Sequence, residues 1–131
     1  MPGSNSYSID DVEMNAAIEE ARRRLPELRR ALEADACRGV RAIKGALVKA
    51  RFQSKITGMG EHIWLEHASF EDDKIVGTIA NEPVNIPELS KGESVSVPAE
   101  TVSDWMYRQG GQDVGGFTIR VMKRRGEQWS E

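Results

Sequence analysis

The sequence predicts an α+β fold in which an N-terminal helical pair packs on a mainly antiparallel β-sheet of about five or six strands. Three observations predict it. Apolar residues recur every three or four positions up to residue 36, the period that gathers them on one helical face. From Ala46 the period becomes two, the mark of half-buried strands. The strand-like runs are punctuated by turn signals such as EDDK and Gly110-Gly111, which close hairpins. A chain of 131 residues, 39% hydrophobic and 30% charged, buries a single core, so residues 1–131 are read as one domain.

Residues 1–8 read as a flexible N-terminus and 9–36 as the helical region, with Met14, Ile18, Ala21, Leu25, Leu28 and Leu32 on its apolar stripe. Ser8 is the expected N-cap, followed by Asp10, Asp11 and Glu13 where the helix dipole favours negative charge. Pro26 lacks an amide proton and disfavours helical geometry at Leu25, so the region divides into helices near 9–24 and 26–36, with Gly39 as the stop. A β-rich region spans 46–123. In ALVKARFQ, Val48, Ala50 and Phe52 alternate with Lys49, Arg51 and Gln53. After Gly58-Met59-Gly60 come EHIWLEH, the EDDK turn and KIVGTIA, a hairpin. Asn81-Glu82-Pro83 and Ile86-Pro87 break the sheet, Lys91-Gly92 turns the chain into ESVSV, and Pro98 opens a short helical turn, PAETVSD. WMYRQ and GFTIRVM form a second expected hairpin about Gly110-Gly111. Phe117, Ile119 and Val121 alternate as in a strand, while Val114, Thr118, Val121 and Met122 fit a helix, and both readings stand. Residues 124–131 read as a flexible tail.

No apolar run approaches the roughly 20 residues that cross a bilayer, and MPGSNSYSIDD lacks the basic start and hydrophobic stretch of a secretory signal. The expected location is cytoplasmic. The single cysteine, Cys37, sits among charged residues, forms no internal disulfide and supplies no thiolate knuckle. Charge is unevenly spread. Residues 22–51 hold ten Arg and Lys against Glu27, Glu33 and Asp35, whereas residues 61–104 hold Lys74 and Lys91 against ten carboxylates. Either a basic helical region packs beside an acidic sheet, or one of the two faces a charged partner.

EHIWLEH, residues 61–67, is the densest candidate site. On a straight strand His62, Trp64 and Glu66 share one face, while Glu61, Ile63, Leu65 and His67 share the other. The histidines point apart, and there is no HExxH, no CxxC and no third histidine, so neither a metal nor a cofactor is expected. Ile63 and Leu65 read as the core pair. His62 and Trp64 then need cover, expected from the N-terminal helices, and burial should disfavour the charged form of His62 relative to the wetter His67. SDWMY, residues 103–107, is the second cluster. Asp104 is read as a cap at the end of the short helical turn, or as a carboxylate orienting a histidine. Trp105 and Tyr107 share strand parity as core or as pocket wall. GGQDVGG meets neither phosphate-loop pattern and reads as a flexible connection. The Arg22-Arg23-Arg24 and Arg29-Arg30 runs lack interleaved aromatics, which argues against nucleic acid, and GxSxG is absent.

DVEMNAAIEEARRRLPEL, then VKARF, EHIWLEH, GTIANEPV, KGESVSVP, VSDWMY and GGFTIR, resemble in order the YegJ-like bacterial family known as domain of unknown function 2314, from about residue 9 to 123. The positions matching that family's motifs are Glu61, His62, Trp64, Gly77, Asn81, Pro83, Gly92, Asp104, Trp105, Gly116 and Thr118. The resemblance implies a compact α+β domain and assigns no catalytic role to any of them. Some relatives are associated with export or with fused repeat domains, and this sequence shows neither.

Two functions follow as expectations. The first is a small cytoplasmic binding or interaction module, accessory or immunity-like, with enzymatic activity left open, that presents an acidic surface of Glu66, Glu71, Asp72 and Asp73 to a protein partner. The second is a small-ligand site or enzyme whose pocket draws on His62, Trp64, Asn81, Asp104, Trp105 and Tyr107.

Overall fold

A computed structural model describes residues 11–37 and 42–126. Ser8, Gly39 and the outer parts of both expected flexible ends lie outside the described residues.

The helical stripe builds two helices, α1 Val12–Arg23 and α2 Leu25–Ala36. Asp11 is the N-cap of α1, its carboxylate accepting from the Met14 amide at 3.0 Å. Pro26 falls in the first turn of α2, where a missing amide proton costs no intrahelical bond, so the proline restarts the helix after a one-residue break. Arg24 occupies that break and bridges the helices through Glu20 at 3.1 Å and Glu27 at 2.9 Å.

Six strands follow: β1 Ile43–Gln53, β2 Gly60–Glu71, β3 Lys74–Ile79, β4 Ser94–Pro98, β5 Val102–Gln109 and β6 Gln112–Gly115. A short 3-10 turn, Ala99–Thr101, links β4 to β5, where PAETVSD placed it. All neighbours pair antiparallel in the order β4-β3-β2-β1-β5-β6. Register fixes the faces. Val48 lies opposite Leu65 and Trp105, whereas Lys49 lies opposite Trp64 and Asp104, so the two sets point to opposite sides of the sheet. Met14, Ala17, Ala21, Leu25 and Leu28 pack in one core with Val48, Ala50, Ile63, Leu65 and Trp105. The parity reading of Ile63 and Leu65 therefore holds. The helices cover that side and not the His62 and Trp64 side, a correction that follows from the helical stripe seeking the fully apolar face.

Three local readings also change. Residues 117–123 are not a strand: α3 runs Phe117–Arg124, and β6 takes the hairpin position after Gly110-Gly111 instead. Gly115 and Gly116, at φ 91° and 73°, break the strand before the helix begins. His67 does not share the Ile63 face. The β2–β3 register shifts between Glu66 and Ser69, and His67, at φ 57°, is turned into solvent at that bulge. Residues 124–126, read as the start of a tail, belong to the fold. Arg124 pairs with Glu13 at 2.8 Å and Arg125 with Asp11 at 2.6 Å, tying the end of α3 to the start of α1. The Arg125 hydrogen bond is the main reason that the Asp11 carboxyl is lowered to about 2.

Ile18 tests the helical face. It is 9% exposed within the core, so Ile18→Val should destabilise by about 0.5–1.5 kcal/mol in urea unfolding. A loss within error of zero would place α1 on another face.

Candidate functional site

The two densest motifs flank β1. EHIWLEH lies in β2 and SDWMY in β5, and β1 runs between them, setting Arg51 opposite His62 and Lys49 opposite both Trp64 and Asp104. The sheet face away from α1 and α2 thereby acquires a buried polar layer. Lys49, Ser103, Asp104 and Thr118 have no exposed surface, Trp64 is 2% exposed and His62 9%.

Asp104 organises this layer. Its carboxylate accepts from the amides of Trp105 at 2.7 Å, Phe117 at 3.0 Å and Thr118 at 2.9 Å, and from the Thr118 hydroxyl. It does cap, as one sequence reading held, but it caps α3 rather than the 3-10 turn. The carboxylate sits where the helix dipole and free amides favour negative charge. Lys49 completes the set, its Nζ donating to Thr118 Oγ1 at 3.0 Å and lying 5.1 Å from the Trp64 ring centroid. Burial lowers the Lys49 ammonium to about 8, with Asp104 opposing the shift.

His62 belongs to a second set. Its Nδ1 lies 2.9 Å from Ser103 Oγ, which in turn donates to the Lys49 carbonyl at 3.4 Å. With the hydroxyl proton on that carbonyl, the imidazole donates through Nδ1–H, an assignment made from the network. Burial pushes His62 down to about 3, and the charges of Lys49, Arg51 and Arg22 push the same way. The Asp104 carboxylate accepts from α3 and from its neighbouring amide, whereas His62 Nδ1 lies against Ser103 Oγ.

The remaining candidates disperse. Trp105 lies on the helical side of the sheet, donates from Nε1 to the Ala21 carbonyl at 2.9 Å and meets Phe117 edge-on at 5.3 Å between centroids. It is core, on the opposite side from Trp64. Tyr107 stacks beyond it at 6.2 Å and lines a groove of about 730 Å³ between β1, β5, β6 and α3. Asn81 lies in the loop after β3; its Oδ1, like Trp64 Nε1, is buried without a hydrogen-bond partner among the described residues. Of the acidic set, Glu71, Asp72 and Asp73 are exposed together at the β2–β3 turn, while Glu66 is half-buried along β2. Beside that turn, Leu25, Pro26, Phe70 and Ala99 line a groove of about 460 Å³ that Asp73 and Glu100 also border. Arg29 spans it, 5.3 Å over the Phe70 ring and donating to the Asp72 carbonyl at 2.6 Å.

Lys49, Ser103 and Glu61 were missed as site residues, Lys49 because strand alternation assigned it to solvent. Glu61 is fully buried and accepts from the Val84 and Asn85 amides at 3.0 and 2.7 Å, clamping the loop between β3 and β4. The sequence signal was the Asn81-Glu82-Pro83 break itself, whose free amides need an acceptor. Among the described residues no group of three or more His, Cys, Asp or Glu could hold a metal ion, and no helix is long and apolar enough to cross a membrane.

Comparison with known proteins agrees with this architecture's sequence pattern. A putative ankyrin repeat protein of Neisseria meningitidis serogroup B is 37% identical over 115 residues, covering 86% of this chain and 46% of that protein. The uncharacterized protein YegJ of Escherichia coli is 34% identical over 62 residues, covering 47% of this chain and 40% of YegJ. The chain thus spans less than half the length of either relative. No solved structure matches it. The model of the family described as "Uncharacterized protein conserved in bacteria (DUF2314)" matches residues 11–128, and the chain belongs to that family.

Proposed function

We propose that this domain is a protein-binding module that offers the acidic β2–β3 turn to a partner carrying basic charge. The carrying observation is that Glu71, Asp72 and Asp73 are exposed together beside the apolar groove of Leu25, Pro26, Phe70 and Ala99. Clustered charge speeds encounter, and an adjoining apolar surface supplies the affinity that exposed charge alone does not. The densest polar motifs, by contrast, are spent on the fold: Asp104 holds α3 and Glu61 holds a loop. The Neisseria relative, named for ankyrin repeats, supports a setting in which the domain works beside other modules. The exposed free thiol of Cys37 suits a reducing compartment, so the partner is sought in the cytoplasm.

Pull-down from native lysate tests this with the parent and a variant carrying Glu66→Gln, Glu71→Gln, Asp72→Asn and Asp73→Asn. At least one protein recovered by the parent should be lost from the variant and weakened by raised salt. Equal recovery of every protein from both would remove this surface from consideration.

A further inference from the structure

The groove beside the acidic turn already holds a cation. Arg29, on α2, sets its guanidinium 5.3 Å from the centroid of the Phe70 ring and donates from Nη1 to the Asp72 carbonyl at 2.6 Å. An aromatic face and a backbone carbonyl together make a guanidinium site, and here a side chain of the domain itself fills it. Leu25, Pro26 and Ala99 continue that site as apolar surface in a groove of about 460 Å³, and the exposed carboxylates of Asp73 and Glu100 border it.

The Arg29 contact is one that can be given up. Its side chain is half-buried rather than enclosed, and its Nε also donates to Glu33, one turn further along α2, at 3.2 Å. A guanidinium that leaves Phe70 therefore keeps an ion-pair partner on its own helix. The other cation of the lining, Arg22, donates from Nε to the Val102 carbonyl at 2.8 Å and so reaches a different strand.

We propose that Arg29 is a placeholder for a partner's arginine. A basic, apolar segment of a protein partner displaces it, sets its own guanidinium on the Phe70 ring and the Asp72 carbonyl with Asp73 and Glu100 at the rim, and lays a neighbouring apolar side chain on Leu25, Pro26 and Ala99. Arginine is favoured over lysine because its planar fork stacks on a ring while its edge still donates. The proposal rests on the reading of the acidic turn as a protein-binding surface, and adds the residue type recognised and the internal side chain that competes with it.

The full chain should be titrated with a blocked hexapeptide of alternating leucine and arginine, and with the same peptide carrying citrulline, the neutral isostere of arginine. The amide NMR signals of Phe70, Asp73 and Ala99 report the groove. The arginine peptide should shift all three saturably, and the citrulline peptide should bind more weakly. Arg29→Gln, which takes the domain's own cation off the ring, should tighten the arginine peptide by roughly three- to ten-fold, the return of one exposed cation–π contact and one charged hydrogen bond. Arg30→Gln removes the same charge from an exposed neighbour outside the groove lining, and at physiological salt should change the affinity by no more than about two-fold. Equal gains from the two variants would overturn the proposal in favour of general charge attraction. Unchanged affinity in Arg29→Gln would overturn it and leave Arg29 as a tether between α2 and the turn. Shifts confined to Asp73, or no saturable shift in either the parent or Arg29→Gln, would overturn it as well. Each of these failures is distinct from failure of the acidic-turn reading, which the lysate comparison decides with Arg29 unaltered.

Discussion

Asp104→Ala is expected to destabilise the domain by about 3–5 kcal/mol, among the largest losses for a single side chain here. The substitution leaves Lys49 buried without the carboxylate that faces it, and it orphans the Phe117 and Thr118 amides at the start of α3. Urea unfolding would measure the loss, and amide exchange should show α3 opening first, at Thr118 and Arg120. Lys49→Met in the same background should recover part of the stability, because it removes the unpaired charge while keeping an apolar side chain of similar length. A loss under about 1 kcal/mol for Asp104→Ala, within the range of ordinary substitutions, would mean that the layer around Lys49 is solvated and not a closed network.

The second large effect is a dependence on pH that His62 imposes. In the folded chain the imidazole is lowered to about 3 from its ordinary value of 6.5, so between these values the unfolded chain binds the proton and the folded chain does not. Stability contributed by His62 is therefore fully present above pH 6.5 and is lost as pH falls toward 3, at up to about 1.4 kcal/mol per pH unit. Carboxylates such as Asp11 titrate in the same region, so the parent should be compared with His62→Gln. The stability difference between them should shrink by roughly 2–3 kcal/mol from pH 6.5 to pH 4, and a constant difference would show that His62 is not a buried neutral imidazole. Lys49 acts in the same sense at higher pH. Its value of about 8 lies below the ordinary ammonium value of 10.5, so stability should rise again across that interval.

How much of this was legible in the sequence depends on the range of the interactions. Helices, the β1 to β3 strands and the split between Ile63 and Trp64 follow from periodicities that neighbouring residues carry themselves. The nature of residues 117–124 does not, since their apolar pattern suits two periods and the deciding contact comes from Asp104, in another strand. Lys49 was illegible for the same reason: a lysine between Val48 and Ala50 looks solvent-facing until β2, β5 and α3 close over it. His62 was half legible. Parity gave its face and burial gave the direction of its shift, but its partner Ser103 is set by pairing across β1. The exposure of Glu71, Asp72 and Asp73 could be read from their place at a tight hairpin turn, whereas the half-burial of Glu66, set by pairing along β2, could not.

The ion pairs of Asp11 and Glu13 with Arg125 and Arg124 bear on how the domain can be joined to other polypeptide. They bring the two outer limits of the described fold to one corner. Asp11 and Arg125 lie within reach of one salt bridge, so a host polypeptide could carry this unit as an insert without being stretched apart, and the same closeness makes a circularly permuted form easy to link.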